Sequence, residues 1–68
     1  MSIKVTVVVQ KDENWYVAKC IENNVASQGK TIEEALNNLR EALELYYENE
    51  KPDISYYQTF ITTMEVAL

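Results

Sequence analysis

Gly29–Lys30–Thr31 is the first place to look for chemistry, because it follows a strand-like stretch and opens a helix, as the end of a phosphate-binding P-loop does. That motif needs a glycine five positions earlier, and this chain has Asn24 there. Without it the backbone amides cannot fold around a phosphate, so the tripeptide reads as a turn and a helix start. Cys20 is the only cysteine and the chain has no histidine. A thiolate nucleophile therefore lacks its usual base, and zinc lacks a ligand set. Lys19 is the nearest cation, but in a strand it points to the other face. Cys20 reads as a small buried hydrophobe. The carboxylates Asp12, Glu13, Glu22, Glu33, Glu34, Asp53 and Glu65 could hold a hard metal only if several converged on one point. The first two strands contain none of them, and most lie in turns or on the polar face of a helix. The expectation is a protein with no catalytic residue, no cofactor and no metal, and not an enzyme.

Binding is the better reading of these groups. The formal net charge is −5, and no cluster of Lys and Arg occurs. Nucleic-acid affinity rests on neutralising phosphates, so direct contact with DNA or RNA is not expected. An acidic surface does attract a basic protein. Trp15 can finish a sheet edge or anchor a partner on an outer face with Val17 and Val8. Asp12, Glu13, Trp15, Val17 and Glu22 are the expected partner-binding residues.

The elements that must position these groups follow from periodicity. Ile3, Val5, Val7 and Val9 alternate with Lys4, Thr6, Val8 and Gln10, the pattern of a half-buried strand. Lys11 to Asn14 makes a short turn, with Asn14 suited to a positive φ. Trp15 to Cys20 is a second strand, with Tyr16, Ala18 and Cys20 placed toward a helix because Ala and Cys are small. Glu22–Asn23–Asn24 turns the chain, and Val25 to Gln28 is a third strand. Gly29, the only glycine, is assigned a positive φ in the strand-to-helix turn. Thr31 and Glu34 form a capping box, the Thr31 hydroxyl accepting the Glu34 N–H and Glu34 reaching back to the Thr31 N–H. Ile32, Ala35, Leu36, Leu39, Ala42, Leu43 and Tyr46 then form one apolar stripe. The helix is expected to run to Glu48 or Asn49, before Pro52. Ser55 to Val66 is rich in Tyr, Thr, Ile, Phe and Val and reads as a long last strand, paired in parallel with the first.

With 68 residues the chain is one domain over 1–68, small enough that its own core is marginal. Neither a disulfide nor a zinc site can supplement that core, which leaves association with another chain. A homodimer or higher homo-oligomer is expected, with Tyr57, Thr59, Ile61 and Thr63 of the last strand as its seam. Tyr46, Tyr47, Tyr56 and Tyr57 either pack the helix end on that strand or join the self-association surface. The N-terminal apolar residues alternate with polar ones, so neither a signal peptide nor a membrane span is read there, and the protein is placed in the cytoplasm.

The succession WYVAKC, then Gln28–Gly29–Lys30–Thr31, Glu33–Glu34–Ala35 and Arg40–Glu41–Ala42, resembles the HicB family of antitoxins over Ile3 to Glu48. The resemblance implies a truncated RNase H-like fold of class α+β: three antiparallel strands, one helix packed on one face, and a fourth strand parallel to the first (β-β-β-α-β). It also implies an antitoxin that neutralises a small basic mRNA-cleaving toxin of the HicA type by covering its RNA-binding face and catalytic histidine. RNase H activity does not carry over, because the first strand has no central carboxylate. No DNA-binding domain is expected. A self-assembling protein without a toxin is the competing reading.

Overall fold

The computed structural model describes residues 3–48 and 58–68. Strands β1 (Val7–Asp12), β2 (Trp15–Cys20) and β3 (Ala26–Gly29) precede one helix, α1 (Ile32–Tyr46). The strands form an antiparallel meander in the order β1-β2-β3, and the helix lies over one face, on β3 and β2.

Register decides which side chains meet the helix. Val9 stands opposite Ala18 and Ala18 opposite Ser27, while Val7 faces Cys20. Cross-strand partners share a face, so Val7, Val9, Tyr16, Ala18 and Cys20 all look toward α1, as the size argument for β2 required. Ala18 and Cys20 are completely buried, and Ala35 and Leu39 of the helix close over Ala18. Small side chains in the centre of the sheet let the helix approach, and Val7, Val9, Tyr16, Val25 and Leu43 fill the margin of this core.

The ends of the elements differ from the sequence reading. β1 begins at Val7 rather than Ile3 and continues through Lys11 and Asp12, which pair with Tyr16 and Trp15. Only Glu13 and Asn14 remain for the hairpin turn, and the positive φ of 54° falls on Glu13, not on Asn14. Two-residue hairpins take positive φ at one or both central positions, and the turn type sets which; here it is the first. A second positive φ, 63°, is taken by Asn24 in the β2–β3 turn, where an asparagine tolerates it. α1 ends at Tyr46: the Tyr47 N–H still donates to the Leu43 carbonyl, and a tighter bond from the Glu48 N–H to Leu45 closes the last turn.

Among the described residues the expected parallel fourth strand is not formed, and the architecture is a three-stranded α+β layout. Residues 58–68 belong to no strand and are exposed throughout; Ser55 to Tyr57, and Pro52, lie outside the described residues. Thr, Ile, Val and Phe favour extended backbone, but a strand exists only where a neighbour completes its ladder. The apolar stripe of α1 is accordingly wider than the surface it covers. Ala35 and Leu39 are buried, whereas Ile32, Leu36 and Tyr46 are exposed. Among the described residues, no helix is long and apolar enough to cross a membrane.

Candidate functional site

The turn that carries Gly29–Lys30–Thr31 is built for packing. Gly29 does not take a positive φ, contrary to the sequence reading. Its requirement is space: an added Cβ would stand 2.6 Å from the Ala35 nitrogen and 2.9 Å from Glu34. The helix start presses directly on the end of β3, which only glycine allows. The Thr31 Oγ1 accepts from the Glu34 N–H at 3.0 Å, and the Glu34 carboxylate accepts from the Lys30 N–H at 3.3 Å. The box therefore closes on Lys30, one residue before the expected Thr31 amide. Asn38 adds a clamp that the sequence reading missed, its side-chain amide donating to the Gln28 carbonyl at 2.8 Å. Its place on the helix flank next to β3 was the only sequence signal for it.

Of the expected partner-binding residues, the structure brings Asp12, Glu13 and Trp15 together at the β1–β2 hairpin. Asp12 and Trp15 are cross-strand partners, and Glu13 occupies the turn between them. All three are exposed, and Trp15 retains 41% of its surface. The Lys30 ammonium sits 5.9 Å from the centre of the Trp15 ring and steadies the indole from the side of the helix start. Val17 lies on the face away from α1, flanked across the sheet by Gln10 and Gln28, and is half-buried. The outer face is thus mixed, with Val8, Gln10, Asp12, Trp15, Val17, Lys19, Ala26 and Gln28.

Glu22 stands apart, beyond the far end of β2. Its Oε1 accepts the Thr6 N–H at 2.8 Å and the Cys20 thiol at 3.6 Å. Desolvation opposes its ionisation, but the hydrogen bonds from the Thr6 N–H and its own backbone outweigh that cost, and its carboxyl lies below the usual glutamate range. Burial raises the Cys20 thiol above its ordinary value, with the neighbouring Glu22 adding to the effect. Cys20 is therefore a neutral, inaccessible thiol, and Glu22 caps the open end of the sheet. Among the described residues no three His, Cys, Asp or Glu side chains are grouped to hold a metal ion.

The tyrosines at the helix end were expected either to pack on a last strand or to join a self-association surface, and Tyr56 and Tyr57 lie outside the described residues. Tyr46 and Tyr47 pack edge to face, 4.9 Å between centres, and the Tyr47 hydroxyl accepts from the Asn23 amide at 2.9 Å. Asn23 also takes the Val25 N–H at 3.0 Å, so one side chain ties the β2–β3 turn to the end of α1. Thr59, Ile61 and Thr63 lie in the exposed segment 58–68, and Tyr57 lies outside the described residues.

Residues 4–56 match a family model described as a family of unknown function (DUF7387). A UPF0150 protein of Helicobacter pylori (strain J99 / ATCC 700824) is 38% identical over 68 residues, covering 93% of this chain and 94% of that protein. No solved structure gives a significant match. The matched span takes in all three strands, the Gly29 turn and the whole of α1, and the chain belongs to the DUF7387 family.

Proposed function

We propose that this protein is a HicB-type antitoxin, which binds a small basic mRNA-cleaving toxin of the HicA type and does no chemistry of its own. It acts in the cytoplasm, where such a toxin meets its RNA. The observation that carries this reading is the exposed Trp15 at the acidic hairpin, with Asp12 opposite it and Glu13 in the turn. A tryptophan with two carboxylates beside it offers a basic partner both an apolar anchor and an opposite charge. The net charge of −5 extends the attraction beyond the contact itself. The order of the Gln28–Gly29–Lys30–Thr31, Glu33–Glu34–Ala35 and Arg40–Glu41–Ala42 motifs adds the resemblance to HicB antitoxins.

The test is co-expression with the basic chain encoded in the neighbouring reading frame, followed by an RNA-cleavage assay. Cleavage by the basic chain should be abolished in the complex, and this protein alone should leave RNA intact with magnesium or manganese. Trp15→Ala should weaken the complex by roughly 30-fold, the effect of losing about 2 kcal/mol at a hot spot. Affinity should also fall as salt rises. Metal-dependent cleavage by this protein, or a toxin indifferent to its presence, would overturn the assignment. A self-assembling protein without a toxin is the second reading, and the exposed apolar segment 58–68 favours it. An adjacent frame encoding no basic protein would decide for it.

A further inference from the structure

The last row of the sheet carries an anion, an aromatic ring and a cation side by side. Asp12 of β1 pairs with Trp15 of β2, and the next residue, Tyr16, pairs with Gly29 of β3. Lys30 therefore flanks Trp15 on the β3 side as Asp12 does on the β1 side. Tyr16 packs against the core under α1, so its neighbour Trp15 looks out from the face that the helix leaves open. The following row on that face, Gln10, Val17 and Gln28, carries no charge. Opposite charge for a partner is thus confined to the hairpin end of the sheet.

The indole already holds one cation, supplied by its own chain. The Lys30 ammonium stands 5.9 Å from the ring centre, and the helix cap fixes the Lys30 backbone, because the Glu34 carboxylate accepts its N–H at 3.3 Å. Lys30 comes from the β3 side, which leaves the β1 side of the ring to Asp12. Among the described residues, the side chains of Asp12 and Glu13 make no hydrogen bond or ion pair, so both carboxylates are available to an incoming donor. A cation arriving on the β1 side meets a π-system and a carboxylate together. Arginine suits that arrangement better than lysine. Its planar guanidinium can lie on an indole and still direct a fork of donors at a carboxylate, whereas an ammonium is a compact, strongly hydrated point charge.

We propose that the β1–β2 hairpin is an arginine cradle: a guanidinium of a basic protein partner stacks on Trp15 from the β1 side and is held by the Asp12 carboxylate. Lys30 steadies the ring from its other side, and Glu13 adds attraction from the turn. The proposal rests on the reading of this hairpin as the contact for a basic protein, and it adds which side chain of that partner is recognised. Lys30 also sharpens the choice. Its charge repels any second cation, so the incoming group must recover that cost from the ring and from Asp12 at once, which the guanidinium does.

Trp15 is the only tryptophan, so its fluorescence reports on the cradle without a label. The probes are an end-capped peptide of alternating arginine and serine, its lysine counterpart and its glutamate counterpart, each titrated into the full chain with no toxin present. The arginine peptide should shift the Trp15 emission and bind about 5-fold more tightly than the lysine peptide, a ratio of about 1 kcal/mol. Asp12→Asn should erase that preference. Glu44→Gln makes the same change of charge at an exposed position of α1 and should leave it. Amide spectra of both variants check that they fold, and the peptide comparison on the unsubstituted chain decides the question without them. Equal affinity for the arginine and lysine peptides, or equal effects of the two substitutions, would reduce the attraction to net charge and overturn the cradle. A glutamate peptide that moved the Trp15 emission as far would make Lys30 the binding group and overturn it too. A toxin complex lost on Trp15→Ala, with no arginine preference, would sink the cradle and leave the antitoxin reading standing. Arginine preference beside a reading frame that encodes no basic protein would do the reverse.

Discussion

Gly29 and Ala35 lie so close that a methyl group on the glycine would sit 2.6 Å from the Ala35 backbone nitrogen. The neighbour is main chain at a helix start, which cannot rotate aside as a side chain would. Gly29→Ala should therefore destabilise the fold by about 1–3 kcal/mol, the usual cost of overpacking. Chemical denaturation reads this directly. Because Gly29 has no positive φ, the penalty is steric, and shrinking the contact should be the only route to rescue. An unchanged stability would mean that the helix start is free to lift from β3.

The Thr31 cap is tested separately. Its hydroxyl is the acceptor for the Glu34 N–H, so Thr31→Ala should cost about 0.5–2 kcal/mol. Thr31→Ser keeps the oxygen and should retain most of the stability. A shifted melting temperature without effect on partner binding is the expected pattern. The reverse pattern, with binding lost to a phosphate-bearing ligand, would restore the P-loop reading of Gly29–Lys30–Thr31.

Asn23 and Tyr47 close the opposite end of the helix through a hydrogen bond of 2.9 Å. Tyr47→Phe removes only the hydroxyl and should cost about 0.5–1.5 kcal/mol. Asn23→Ala should cost more, because it also strands the Val25 N–H. A double-mutant cycle between the two positions should show coupling, whereas additive effects would mean that the bond contributes nothing in solution.

Glu22 makes stability depend on pH at the acid end. Its folded carboxyl lies below the usual range, so the unfolded chain binds the proton more readily. The contribution is complete above the ordinary glutamate value, about 4.3, and is lost as pH falls through the lower folded value. Glu22→Gln should flatten the stability profile in that acidic window. Urea midpoints measured across the window check it, and an unchanged acid limb would remove the Thr6 contact as its cause.

Much of the layout could be read from local residues. Trp15–Cys20 was legible as a strand with Tyr16, Ala18 and Cys20 inward, because alternation and size are properties of neighbours in the chain. Ile32 as the first helical residue was legible from the Thr31–Glu34 spacing, and Asp12, Glu13 and Trp15 came together because a short hairpin leaves them nowhere else to go.

The tertiary structure decided what neighbours in the chain cannot. Gly29 was chosen by the distance to Ala35 rather than by its own φ, and the Glu22 carboxylate was drawn to Thr6, sixteen residues away. The segment 58–68 has a strand's composition yet forms none among the described residues. Propensity belongs to a residue and its immediate neighbours, whereas a ladder needs a second backbone brought within hydrogen-bonding distance, and only the folded chain or its assembly supplies that.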